Sequence, residues 1–174
     1  MKKICLLVTV FGLMFITQNS AYGQSQSRAN ETDSSEITIS MKRDGFPCGY
    51  APLNEKDLSG CPAYSIVIAR DGTVMYEGIS SVKERGKRTF TIPVKLVKQL
   101  IADFERIKFF ELQDEYTEKQ LPNGVIRTVN HSNGTTITLK AGNRIKSIYN
   151  FYGAPQELEA LQKKLDAISK HLQR

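Results

Sequence analysis

The sequence is short of the side chains on which most catalytic and metal sites depend. Its 174 residues contain no tryptophan, two histidines and three cysteines. Nucleophilic catalysis by serine or cysteine needs a base, usually histidine, and no G-x-S-x-G motif is present. Histidine and cysteine ligands are not clustered, so we expect no metal site and no cofactor. No glycine-rich loop joins a strand to a helix, which excludes the usual nucleotide-binding motifs.

Long apolar runs are also rare, and the one that stands out lies at the N-terminus. Lys2 and Lys3 precede the apolar stretch Ile4 to Ile16, and small residues follow at Ala21-Tyr22-Gly23. This is the three-part pattern of a secretory signal peptide. The stretch is shorter than the roughly 20 residues that a spanning helix needs. We therefore predict a cleaved signal peptide over residues 1–23, a periplasmic or extracellular product and no membrane-spanning segment.

After cleavage two cysteines remain, Cys48 and Cys61. An even pair in an exported chain usually forms a disulfide. Closing a loop of this length is worth about 3 kcal/mol in the chain-entropy model. A reactive thiol or a metal ligand is the alternative, and the oxidising compartment favours the disulfide.

The remainder of the chain divides into a leader and a single domain. Residues 24–35 hold no large apolar side chain, which predicts a flexible leader. The domain then spans residues 36–174, a length sufficient for its own hydrophobic core.

The domain begins with strand patterns joined by tight turns. Apolar and polar residues alternate over the first segment, and Asp71-Gly72 is a strong hairpin signal. The predicted strand segments here are Glu36–Lys42, Ala63–Ala69 and Thr73–Gly78, with a further hairpin around Arg85-Gly86 that joins Ser80–Lys83 to Arg88–Ile92.

Two amphipathic helices are predicted after Pro93 and Pro155, where proline is favoured. A second hairpin, Thr135–Lys140 with Arg144–Tyr152, separates them. We therefore predict an α+β domain: a mainly antiparallel sheet of about six strands with the two helices packed on one face.

One histidine is a candidate for catalysis. His131 lies in a polar loop, whereas His171 lies in the last helical turn, where a cation suits the helix dipole. A small secreted hydrolase that uses His131 as a general base, with a carboxylate such as Asp114, is one hypothesis. A solvated loop histidine with no catalytic role is the other interpretation.

One cluster of positive charge is a candidate for binding. It comprises Lys83, Arg85, Lys87 and Arg88. Positive charge on an edge strand protects it from aggregation, which is one interpretation. Contact with an anionic lipid or polymer of the cell envelope is the other. Nucleic acid is not expected as a partner, because exposed aromatic residues do not alternate with these cations.

The motif Cys61-Pro62-Ala63-Tyr64, followed by Asp71-Gly72-Thr73-Val74-Met75-Tyr76-Glu77-Gly78, resembles a bacterial exported family, domain of unknown function 6438. Phe109-Phe110-Glu111-Leu112, Asp114 with Tyr116, and Gly153-Ala154-Pro155 extend the resemblance over roughly residues 36–170. The chain differs from the family pattern by inserting Tyr50–Ser59 between its cysteines and by lacking a Thr-Asp pair after Tyr116. The resemblance implies a fold and export, and supplies no activity.

The function that these observations favour is a non-enzymatic binding or interaction module of the bacterial cell envelope. Its partner would be an envelope protein or an anionic envelope component. The His131 hydrolase and the Lys83–Arg88 polyanion binder are the alternatives.

Overall fold

The computed structural model describes residues 36–45, 60–129 and 133–173, with the backbone alone at His171. The strands in these ranges are β1 (Ile37–Asp44), β2 (Ala63–Ala69), β3 (Thr73–Ser80), β4 (Gly86–Thr91), β5 (Glu115–Tyr116), β6 (Lys119–Gln120), β7 (Ile126–Arg127), β8 (Thr135–Ala141) and β9 (Arg144–Asn150). The helices are α1 (Val94–Arg106), α2 (Gln156–Ile168) and α3 (Lys170–Gln173), and a 3₁₀ turn covers Phe109–Glu111.

Seven of these strands form one sheet in the order β4-β3-β2-β1-β8-β9-β5. Neighbouring strands are antiparallel except β5, which runs parallel to β9. Strands β6 and β7 form a separate short hairpin. The α+β prediction is therefore confirmed, with the two-residue β5 as an addition to the sheet.

One face of the sheet forms the core because its residues alternate between apolar and polar. Ile39 and Met41 of β1 are buried, whereas Thr38 and Ser40 between them lie on the opposite face. The buried side chains of the other strands continue the same layer: Tyr64, Ile66, Ile68, Val74, Tyr76, Ile137, Leu139 and Ile148.

Both long helices cover this buried face, as predicted. Their inward stripes join the same core and comprise Val97, Leu100, Phe104, Leu158, Leu161 and Leu165. Pro93 and Pro155 occupy the N-cap positions. Lys164 of α2 pairs with Asp103 of α1, and this hydrogen bond is the main cause that lowers the pKa of the Asp103 carboxyl. Among the described residues, no helix has the length and apolarity that crossing a membrane requires.

One predicted strand segment was wrong. Ser80–Lys83 was expected to pair in a hairpin, but β3 ends at Ser80 and residues 81–84 form a turn. Ser81 has a φ of +51°, which no strand residue adopts. The backbone N–H groups of Lys83 and Glu84 instead donate to the carbonyl groups of Gln173 and Leu172, at 3.2 and 2.9 Å. The turn is thus shaped by contact with the end of α3.

Candidate functional site

A partly buried cluster of charged and polar side chains lies between α2 and the ends of β1 and β2. Arg43 follows Ile39 and Met41 in the inward series of β1, and Tyr64 lies opposite it on β2. Asp166 of α2 accepts hydrogen bonds from Arg43 Nε at 2.9 Å, from Arg43 Nη2 and from the Tyr64 hydroxyl. The Arg43 and Asp166 side chains are only 18% and 22% exposed. The cluster therefore fixes the guanidinium in one orientation.

The environment keeps Arg43 charged and Tyr64 neutral. Burial alone would lower the pKa of Arg43, but the hydrogen bond and charge of Asp166 outweigh it and leave that pKa raised. Burial also raises the pKa of Tyr64 well above its ordinary value, and the Asp166 charge adds to the effect. Arg43 therefore keeps its charge, and Tyr64 stays neutral, at physiological pH.

Two adjoining cavities open beside this cluster. The first has a volume of about 420 Å³ and is lined by Arg43, Cys61, Pro62, Asn133, Lys163, Asp166, Ala167, Lys170 and Gln173. The second has a volume of about 260 Å³ and is lined by Arg43, Asn133, Asn150, Phe151, Tyr152, Glu159, Gln162 and Lys163. Because they share Arg43, Asn133 and Lys163, we treat them as one site, the α2 groove.

The helical wall of the α2 groove is one polar stripe. Its side chains recur every three or four residues along α2 and α3, so they share a helix face. They are Glu159, Lys163, Asp166, Lys170 and Gln173. This stripe lies beside the apolar stripe predicted for the same helix. The apolar spacing therefore predicts the helix, but it does not indicate that the neighbouring face of the helix lines a groove.

The amide side chains of the groove are held by hydrogen bonds within the protein. Asn133 accepts from the Gly45 N–H and donates to the Pro62 carbonyl, both at 2.9 Å. Asn150 donates to Gln162 Oε1, also at 2.9 Å. Such bonds fix the groove wall before any ligand arrives, which reduces the entropy lost on binding.

Residues 59–169 match the model of a family described as a domain of unknown function, DUF6438. The chain belongs to this family. The match covers well over half of the chain and includes β2 through α2. A search of curated proteins found no match.

The Asp-Gly pair of the DUF6438 pattern has a structural role in the β2–β3 turn. Asp71 Oδ1 accepts the Thr73 N–H at 2.9 Å, and this bond lowers the pKa of the Asp71 carboxyl. Gly72 has a φ of +91°, and a Cβ there would overlap the Ile92 carbonyl oxygen. Its own carbonyl accepts the Ile92 N–H at 2.8 Å. The pair therefore ties the turn to the segment that starts α1.

The next two residues of the DUF6438 pattern, Tyr76 and Gly78, fix the β3–β4 turn and its contact with α3. A Cβ on Gly78 would overlap the Glu84 carbonyl oxygen. The Tyr76 hydroxyl lies 3.4 Å from the Leu172 carbonyl oxygen. The Asp-Gly pair and the following Tyr and Gly of the pattern thus maintain the fold, whereas Cys61 and Pro62 of the same pattern line the groove and Tyr64 donates to Asp166.

The predicted basic cluster lies at this turn and on β4. Arg88 donates to the Glu84 carboxylate at 3.1 Å. Lys87 lies opposite Glu77 on β3, and Arg85 is half-buried. Strand β4 is an edge of the sheet, as the protective interpretation expects. Binding of an anionic ligand by Lys83, Arg85, Lys87 and Arg88 stays a prediction.

The proposed catalytic and disulfide residues are only partly described. His131 and Cys48 lie outside the described residues, so the hydrolase hypothesis and the Cys48–Cys61 pairing stay predictions. Asp114 is described: its side chain is 85% exposed and pairs with Lys146, while its carbonyl accepts the Tyr149 N–H. The described residues contain no group of three or more His, Cys, Asp and Glu side chains arranged for a metal ion.

Sequence reasoning missed the α2 groove. Arg43 and Asp166 are 123 positions apart, so no local pattern joins them. One signal was available: Arg43 continues the inward series of β1, where a charged side chain needs a buried partner.

Proposed function

We propose that this DUF6438 protein is an exported, non-enzymatic binding module of the bacterial cell envelope, and that the α2 groove is its ligand site. Export is supported by the signal-peptide pattern of residues 1–23. The ligand would be a polar component of the envelope that carries negative charge. Its polar atoms would meet the side chains of Lys163 and Lys170 on the groove wall.

The observation that carries the proposal is the fixed Arg43–Asp166 pair, in which Arg43 lies on the wall shared by both cavities and Asp166 lines the first. Removing two charges from water costs free energy. A protein with well-packed apolar residues in place of such an ion pair is often as stable or more stable. An ion pair retained beside a cavity is therefore better explained by ligand recognition than by stability. A few oriented polar groups in a concave site are what specific ligand sites use.

A pull-down from the envelope and medium of the producing cell tests the proposal. The double variant Lys163→Glu/Lys170→Glu reverses two charges on the groove wall. Lys95→Glu/Lys98→Glu makes the same change on exposed positions of α1 and is the matched control. We expect a component captured by the wild type and by the control, and lost by the groove variant. Equal capture by all three proteins would contradict the proposal.

Intact mass spectrometry of the same purified protein tests the export part. We expect a mature chain that starts at Gln24 and lacks two hydrogens because Cys48 and Cys61 are joined. A full-length mass would contradict signal cleavage.

A further inference from the structure

Exposed ammonium groups extend along the α2 groove toward the β3–β4 turn. Lys163 and Lys170 are seven positions apart on the groove face, which is about two helical turns or roughly 10 Å. Gln173, at the end of the groove, accepts the Lys83 backbone N–H at 3.2 Å. The turn that carries Lys83 therefore abuts the end of the groove, and its exposed side chain adds a positive charge near that end.

Within the described ranges, no carboxylate lies at ion-pairing distance from Lys163, Lys170 or Lys83. Glu159, one helical turn before Lys163, adds one negative charge to the same wall. Arg43 differs, because Asp166 already neutralises it. A single compact anion is held best by charges that converge on one point. Charges spaced along a groove fit a chain with negative groups at intervals.

The aromatic side chains of the groove favour sugar rings over a peptide backbone. Phe151 and Tyr152 line the second cavity, and their N–H groups donate to the Tyr116 carbonyl at 2.8 and 3.0 Å. These rings offer flat apolar surface beside the amide groups of the wall. An extended peptide usually pairs with a free sheet edge. The strands that end at the groove, β1, β8 and β9, are paired on both sides there, with β9 paired to β5 at Tyr149 and Asn150.

We infer that the ligand of the α2 groove is an acidic glycan, a chain of sugar rings that carry carboxylates. The chain lies along α2, stacks a ring near Tyr152, and places its carboxylates at Lys163 and Lys170. A longer chain continues past Gln173 to Lys83. This inference rests on the proposed function, because it names the class of ligand for the same groove.

Calorimetric titration with galacturonic acid oligomers tests it, using a trimer and an octamer as probes. Lys163→Gln/Lys170→Gln should weaken binding of both oligomers by about twofold to thirtyfold, the range for losing two exposed ion pairs. Lys83→Gln should weaken only the octamer, by about twofold to fivefold. The charge-matched control Lys95→Gln/Lys98→Gln should bind like the wild type. Added salt should weaken octamer binding, because exposed charges are screened.

The outcomes separate the inference from the proposed function. Binding of octaglutamate, or of a neutral glucose octamer, as tight as that of the acidic octamer would overturn the glycan class. Equal weakening of trimer and octamer by Lys83→Gln would overturn the path to the β3–β4 turn. If the oligomers do not bind while the pull-down still captures a component through Lys163 and Lys170, the inference fails and the proposed function stands. If neither experiment detects binding, both fail.

Discussion

Removal of the Asp166 charge should destabilise the fold, because it leaves the partly buried Arg43 without a counter-ion. Asp166→Asn keeps the size of the side chain and deletes its charge. Removing one partner of a buried ion pair costs about 3–5 kcal/mol. The Arg43 and Asp166 side chains are still 18% and 22% exposed, so we expect a loss of stability at the lower end of this range, about 3 kcal/mol. In a domain of this size that lowers Tm by roughly 6–12 °C.

Urea unfolding followed by far-UV circular dichroism measures this loss, since the chain has no tryptophan to report by fluorescence. The decisive comparison is the combined variant Arg43→Met/Tyr64→Phe/Asp166→Leu, which removes both charges together with the Tyr64 hydroxyl that donates to Asp166. It should be more stable than Asp166→Asn, because no buried charge is left unpaired. A loss below about 1 kcal/mol for Asp166→Asn would mean that the pair behaves like an exposed one. A combined variant less stable than Asp166→Asn would refute the argument as well.

Three further changes test the scaffold. Gly72→Ala should destabilise the protein by more than about 2 kcal/mol in urea unfolding, because the φ of +91° and the nearby Ile92 carbonyl leave no room for a Cβ. Unchanged stability would contradict the close approach of the Ile92 carbonyl to Gly72. Lys108→Gly should stabilise it by about 0.5–1 kcal/mol, because Lys108 adopts the left-handed conformation after α1, and a lower Tm would contradict this. Burial raises the pKa of Tyr76 to about 12 from its ordinary 10, so the stabilising effect of its neutral form is complete below pH 10 and is lost as pH rises toward 12. Tyr76→Phe should therefore lose less stability across that pH window than the wild type, and parallel curves would count against it.

Local patterns sufficed for most of the fold. Strand β2 occupies the predicted residues 63–69, because its apolar run and the Asp71-Gly72 turn are both local signals. Strand β5 could not be predicted this way. It has two residues, too few for any alternation, and exists because it pairs with β9. The turn after Ser80 was mispredicted for the same reason, since its conformation depends on α3, far along the chain.

The site was harder to predict than the fold because its charges come from distant segments. Arg43 is separated from Asp166 by most of the sheet, and the sequence shows only that a cation follows an apolar series on β1. On α2, Asp166 and Lys163 resemble any solvated helix residues. Hydrophobic periodicity predicts which side of a helix is buried, but it does not distinguish solvent from a groove on the other side.

The residues that hold the fold and those that line the groove have separate roles, although they are connected. Gly78 lets the β3–β4 turn approach closely, and the Lys83 and Glu84 N–H groups of that turn bind the last carbonyl groups of α3. Helix α3 in turn carries Lys170, whose side chain has no packing role in the core. The charge of the groove can therefore change by substitution at such positions while the scaffold keeps its geometry. The proposed ligand of this chain is therefore to be sought from the residues that line its groove, and not from the turn residues Asp71, Gly72 and Gly78 that maintain the scaffold.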